Sequence, residues 1–144
     1  YKKKIKLILK KEKKINLNNL KYFSNEIEKI KIRLSALLKN QLYKNHVIYG
    51  FGSSIGALPI ILYFNLDKKI SFLLDDNPLK KFFPLKENKI QIINPNRINN
   101  IKKKIIICLA PRYFKLIRKK TLRQLDKGDI LINLLPKFII IKKR

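Results

Sequence analysis

Three short stretches hold the residues whose types and spacing could do chemistry. The first is Gly50-Phe51-Gly52-Ser53-Ser54-Ile55-Gly56, which follows the apolar run Val47-Ile48-Tyr49 and precedes a helical pattern that starts at Ala57-Leu58. Strand, glycine turn and helix in that order make a dinucleotide-type fingerprint, here with one extra residue before the last glycine. In such a turn Gly50 permits the tight bend, Gly52 lets a phosphate or sugar approach the backbone, and Gly56 lets the helix lie close on the sheet. Free N–H groups at the helix start would face an anion, and Ser53 and Ser54 would cap the helix and offer hydroxyls. A tight turn that binds nothing has the same composition.

The second stretch is Asp75-Asp76-Asn77-Pro78 at the end of an apolar run. An acid at the carboxyl end of the second strand accepts from ribose hydroxyls in dinucleotide-binding proteins, about 20 residues after the glycine turn. Asp, Asn and Pro also make good turns, and a turn here would shape the mouth of a crevice. The third stretch is Ala110-Pro111-Arg112-Tyr113. There Arg112 could hold a phosphate and Tyr113 could stack, or Tyr113 could sit in the core with Arg112 on the surface. No catalytic residue and no metal ligand set stands out. Asp75 and Asp76 are adjacent, so on a strand their side chains point apart. Cys108, the one cysteine, lies in an apolar run and reads as a buried, inert thiol. His46, the one histidine, precedes a strand and reads as structural.

These stretches need a scaffold, and the hydrophobic periodicity supplies one. Strands are expected at Val47–Tyr49, Lys69–Leu74, Lys89–Ile93, Lys104–Leu109, Ile130–Leu134 and Phe138–Ile141. Helices are expected from Ala57 to Phe64, at Pro95–Asn100 and over Pro111–Asp126, the last apolar at Tyr113, Leu116, Ile117, Leu122 and Leu125 and stopped by Gly128. Upstream, Lys4–Lys10 alternates weakly as a short strand, and Lys11–Asn16 reads as a connector. A long helix then runs from Leu17 or Asn18 towards Leu42, stopping near Lys39-Asn40. Its stripe is Leu20, Phe23, Ile27, Ile30, Leu34, Leu37 and Leu38. The expected fold class is α/β and Rossmann-like: a mostly parallel sheet flanked by helices and preceded by a long N-terminal helix. Residues 1–45 form the N-terminal strand, linker and amphipathic helix, and residues 46–142 the Rossmann-like domain. Strand order of this kind makes Val47–Tyr49 and Lys104–Leu109 parallel neighbours.

Composition bounds the function. The chain has 144 residues, is 46% hydrophobic and carries a net charge of +26. Such a charge favours anionic ligands. Only six of the 35 basic residues are Arg, and the lysines are spread along the chain rather than clustered. Guanine readers lean on the arginine fork, so the pattern argues for a lysine-rich composition over nucleic-acid binding. No run approaches the roughly 20 apolar residues of a membrane span, and none has the form of a signal peptide. A cytoplasmic protein without membrane contact is the expectation. No methionine occurs, even at position 1, which reads as a fragment or trimmed domain.

The residues Val47-Ile48-Tyr49-Gly50-Phe51-Gly52, then Ile70–Leu74 into Asp75-Asp76-Asn77-Pro78-Leu79-Lys80, resemble the C-terminal domain of sugar C-methyltransferases. So do Ile105–Tyr113, the closing Ile132-Asn133-Leu134-Leu135-Pro136 and the long preceding helix. The resemblance implies a Rossmann-like domain that helps enclose a nucleotide-linked sugar, with Gly50, Phe51, Gly52, Ser53, Gly56, Asp75, Asp76, Asn77, Lys80, Arg112 and Tyr113 as ligand-binding candidates. It implies S-adenosylmethionine for the full-length enzyme, bound by a missing or separate methyl-donor domain and not by this one. The chain departs from the family where Ser54-Ile55-Gly56 replaces a small residue followed by Lys-Gly. It departs again where Lys81-Phe82-Phe83-Pro84 replaces a glycine-containing stretch. The nucleotide-binding domain of sugar-nucleotide acetyltransferases shares the glycine turn and Asp-Asp-Asn-Pro, and a basic nucleic-acid-binding module is a third reading. The first lacks a long leading helix. The second needs clustered arginine and exposed aromatics on one face.

Overall fold

The computed structural model describes residues 2–12, 16–85, 89–98, 101 and 103–143. The chain folds as two compact units, Tyr1–Leu37 and Leu38–Arg144.

The first unit holds helix α1 (Lys2–Glu12) and most of helix α2 (Leu17–Lys39). The strand expected over Lys4–Lys10 is therefore a helix. A strand needs a neighbour for its backbone groups, whereas a helix satisfies them internally, and lysine is a good helix former. Of the expected Lys11–Asn16 connector, residues 13–15 lie outside the described residues. Asn16 and Asn19 cap α2 reciprocally: the Asn19 N–H donates to Asn16 Oδ1 at 3.0 Å and the Asn16 N–H to Asn19 Oδ1 at 3.3 Å. Lys29 pairs with Glu26 one turn away, at i,i+3. The apolar stripe of α2 is used unevenly. Ile30 and Leu34 are buried, while Leu20 and Phe23 are 54% and 60% exposed.

The second unit is a seven-stranded sheet. Its strands are β1 (Val47–Phe51), β2 (Phe72–Leu74), β3 (Phe82–Pro84), β4 (Lys89–Ile93), β5 (Lys104–Cys108), β6 (Ile130–Asn133) and β7 (Ile139–Lys142). Their order is β3-β4-β2-β1-β5-β6-β7. The five inner strands run parallel, and β3 and β7 join antiparallel at the edges. As expected, β1 and β5 are parallel neighbours, with Val47 opposite Lys104 and Phe51 opposite Cys108. The fold is α/β and Rossmann-like, with a mixed sheet. β3 was not expected. It stands where the sequence departs from its family pattern, and it forms because Phe83 is buried across from Ile90 while Phe82 faces outward.

Two α-helices accompany the sheet, α3 (Ala57–Tyr63) and α4 (Phe114–Thr121). α3 closes on Asn65 at φ +53°, with the Leu66 N–H reaching the Ile61 carbonyl and the Asn65 N–H the Leu62 carbonyl. Asn tolerates this left-handed geometry better than most residues. α4 is shorter than the expected Pro111–Asp126 helix. It starts after a 3-10 turn at Pro111–Tyr113 and ends seven residues before Gly128, which instead shapes the turn into β6 at φ +93°. Residues 95–98 of the expected Pro95–Asn100 helix form a 3-10 turn, and residues 99–100 lie outside the described residues. One sheet face and α4 share a cluster of Tyr49, Phe51, Leu74, Ile106, Cys108, Ile117, Leu125 and Leu131.

Lys104 opens β5 with its side chain fully buried. Its ammonium meets Asp129, also fully buried, at 2.9 Å, and Asp126 at 3.2 Å, and donates to the Ile101 carbonyl. Asp129 in turn accepts the N–H groups of Lys104 and Asp126, both at 2.8 Å. Removing one partner of a buried pair strands the other charge, at a cost of about 3–5 kcal/mol. Lys104→Met should therefore lower the unfolding free energy by about that amount in urea titration, and a loss under about 1 kcal/mol would show the pair to be dispensable. In the same assay Leu34→Ala should cost about 2–5 kcal/mol, and Leu20→Gln, on the exposed part of α2, about 0.5 kcal/mol or less. Equal costs at the two positions would contradict the uneven burial.

Candidate functional site

The chain leaves β1 towards β2 on one side of the sheet and returns as β5 on the other. This reversal opens a crevice at the carboxyl ends of the strands, where open α/β sheets bind ligands. The crevice here is a cleft of about 350 Å³. Phe51, Gly52, Ser53 and Ser54 line it from β1 and its turn, and Leu74, Asp75, Asp76 and Lys80 from β2 and its loop. Ala110, Tyr113, Leu116, Ile117 and Lys120 line it from the loop after β5 and from α4.

Asp75 organises the mouth of this cleft. Its Oδ2 accepts the Ser53 hydroxyl at 2.5 Å, the Ser53 N–H at 3.1 Å and the Lys80 ammonium at 2.9 Å, and its Oδ1 accepts the Asn77 N–H at 3.0 Å. Partial burial works against the charged carboxylate, but the Ser53 hydroxyl, the Asn77 N–H, Lys80 and the Ser53 N–H outweigh it and hold the pKa down to about 2. Asp76 pairs with Lys120 across the cleft. Asn77 does not line it. Its Oδ1 accepts the Leu79 N–H at 3.0 Å, so it builds the turn that carries Lys80 back to Asp75.

The glycines do different work from that expected. Gly50 lies inside β1, where a Cβ would come within 2.5 Å of Leu109 and 2.6 Å of Leu73, so it makes room in the sheet packing and does not touch the cleft. Gly52 makes the turn, at φ +106°, and a Cβ there would sit 2.9 Å from the Ala110 Cβ. Gly56 has open space around it, with only Ser54 Oγ within reach at 3.7 Å, so close helix packing does not require it. Nor do the serine hydroxyls cap α3: the Ser54 carbonyl accepts the Ala57 N–H, and Ser53 turns to Asp75. Tyr113 is not core. It is 62% exposed on the cleft rim, while Arg112 points to solvent outside the lining.

The structure thus brings Phe51, Gly52, Ser53, Asp75, Asp76, Lys80 and Tyr113 together and leaves Gly50, Gly56, Asn77 and Arg112 apart. Sequence reasoning placed Ser54 and Ala110 in its candidate stretches without counting them as ligand-binding, and missed Leu74, Leu116, Ile117 and Lys120. Of these, Leu116 carried a misread signal, since it falls in an apolar helical pattern yet is 67% exposed. Lys120 carried none, because its partner Asp76 is 44 residues away.

Two other reactive groups lie outside the site. Burial pushes the Cys108 thiol up to about 11, which keeps it protonated and inert. His46 precedes β1, at the opposite end of the sheet, where it meets the Gly128 carbonyl at 3.3 Å and packs edge-on against Tyr43. Among the described residues no group of three or more His, Cys, Asp or Glu is placed to hold a metal ion, and no helix is long and apolar enough to cross a membrane.

Folding lowers the Asp75 pKa from 3.8 to about 2, so its contribution to stability is complete above pH 4 and is lost as pH falls through 2. The stability difference between wild type and Asp75→Asn should be constant above about pH 5 and shrink between pH 4 and 2. A difference independent of pH across that window would remove Asp75 from its place as an ionised hub.

Comparison with curated proteins finds no match. The family model described as the C-methyltransferase C-terminal domain matches residues 1–136. The turn, the Asp75–Lys80 loop and the β5 loop that build the cleft all fall within that match, and the chain belongs to the family of C-methyltransferase C-terminal domains.

Proposed function

We propose that this domain is the sugar-nucleotide-binding part of a sugar C-methyltransferase and holds a nucleotide-linked sugar in the cleft between the β1 turn, the Asp75–Lys80 loop and α4. The observation that carries the reading is the cleft's two-sided chemistry. One side is apolar, with Leu74, Ala110, Leu116 and Ile117 beneath the exposed ring of Tyr113. The other presents Ser54 and the carboxylate of Asp76, which gives one oxygen to Lys120. A sugar or nucleoside has the matching faces: a flat or C–H-rich side that packs on apolar and aromatic surface, and hydroxyls that donate to carboxylates. The volume suits one such unit.

The domain supplies binding and orientation, not a reacting group. Asp75 is consumed by four hydrogen bonds, and Asp76 is paired with Lys120, so neither is poised as a general base. The same saturation tests S-adenosylmethionine in the cleft. A seat for its ribose at the end of β2 needs a carboxylate with free acceptor capacity, and Asp75 already takes three donors on one oxygen. In this reading the methyl donor belongs to a domain outside these 144 residues, as the family resemblance implies.

Calorimetry with UDP-glucose as the probe, at two salt concentrations, tests the proposal. Binding should survive the higher salt and weaken at least about fivefold in Tyr113→Ala, the loss of about 1 kcal/mol expected of a stacking contact. Heat that ignores Tyr113→Ala and vanishes with salt would be the net charge of +26 attracting a phosphate, and the reading would fail.

A further inference from the structure

The glycine turn is where a phosphate is expected, yet both Ser53 donors there are already taken. The Ser53 N–H and hydroxyl both point to the Asp75 carboxylate, which occupies the place of an anion. The helix that follows has only seven residues, and a phosphate entering the turn would face Asp75 and Asp76. Inside the cleft the cations are balanced as well, Lys80 by Asp75 and Lys120 by Asp76.

A second groove of about 440 Å³ adjoins the cleft, sharing Leu116 and Lys120 with it. Its other lining residues are Asn96, Lys119, Arg123 and Gln124, with no acid among them. Lys119 and Arg123 are exposed, stand four residues apart at the end of α4, and have no ion-pair partner among the described residues. The floor is built rather than incidental. Gln124 is 92% buried and donates from Nε2 to the Pro95 carbonyl at 3.2 Å, tying the 3-10 turn of β4 to the end of α4.

We infer that this groove, through Lys119 and Arg123, seats the diphosphate of the ligand whose sugar or nucleoside lies in the cleft. The inference rests on the sugar-nucleotide reading and places the ligand's charge on α4 instead of the glycine turn. A diphosphate fits the chemistry because two unpaired cations meet two negative groups, and because the shared wall of Leu116 and Lys120 lets one molecule span both concavities. Arg123 can grip a phosphate through two parallel N–H bonds, and Lys119 adds a compact point charge.

The test is an amide-resolved NMR titration of the whole chain with inorganic pyrophosphate, then with UDP-glucose. Pyrophosphate should move the amides of Lys119, Lys120, Arg123 and Gln124 and leave Gly52–Ser54 still. Lys119→Gln/Arg123→Gln should weaken it about tenfold, the equivalent of one charge-assisted hydrogen bond. Lys68→Gln/Lys69→Gln, which removes the same charge from another exposed site, should change it less than about twofold. Shifts centred on Gly52–Ser54, shifts spread evenly over the basic surface, or equal losses in the two double variants would each overturn the inference. UDP-glucose should move the same groove amides together with Phe51, Leu74 and Tyr113. If it moves only the groove while pyrophosphate behaves as expected, the anion seat stands and the sugar-nucleotide reading fails.

Discussion

Lys104 opens the central strand β5 with its side chain fully buried, and the arrangement of the central strands depends on how its ammonium is met. Its ammonium and its backbone N–H both bind Asp129, one on each carboxylate oxygen, at the point where β6 begins. β5 is thereby held level with β6, and through the pairing of Val47 with Lys104 the register extends to β1. A shift by one residue would turn the lysine to the other face and separate it from its counter-charge, so alternative registers are strongly disfavoured. The five buried residues of β5 are otherwise interchangeable in character, four of them Ile or Cys, and hydrophobicity alone would not choose among registers.

With the amino ends held, the carboxyl ends of β1, β2 and β5 come level, and their loops meet. Asp75 then does at the top of the sheet what Asp129 does at the bottom. Each is a carboxylate that gathers backbone and lysine donors from segments 22 or more residues apart. The difference is exposure. Asp129 is sealed and serves stability, whereas Asp75 is partly open and sets the shape and charge of a cleft. By binding both Ser53 donors, Asp75 also sets a negative charge beside the glycine turn.

The two antiparallel edge strands complete the frame. β3 covers one side of β4, and β7 covers β6, returning through a turn in which the buried Asn133 donates to the Leu135 and Lys137 carbonyls. Both edges are short, and β3 ends in proline and β7 in lysine, each a common means of discouraging further strand pairing.

Some of this was legible in the residues alone. The continuous Ile run of β5, the short apolar run of β1 and the three- and four-residue steps of α2 are declared locally, and the parallel pairing of β1 with β5 follows from the order of strands and helices. The Gly52 turn and the Asp75-Asp76-Asn77-Pro78 loop were legible for the same reason: backbone freedom and short-range hydrogen bonding are properties of neighbouring residues. What the tertiary structure decided is which side chain meets which across long separations. Lys104 has nothing in its neighbourhood to distinguish it from Lys102 and Lys103, and only Asp129, 25 residues on, makes it a core residue. Tyr113 and Leu116 fit an apolar helix pattern, yet both stand exposed at the cleft while Ile117, of the same pattern, is buried. Lys120 enters the site only through Asp76. Periodicity is written in local spacing, but a buried charge or a binding cleft exists only once distant partners have been brought within a few ångströms, because the energy of a charge depends on what surrounds it and not on what precedes it in the chain.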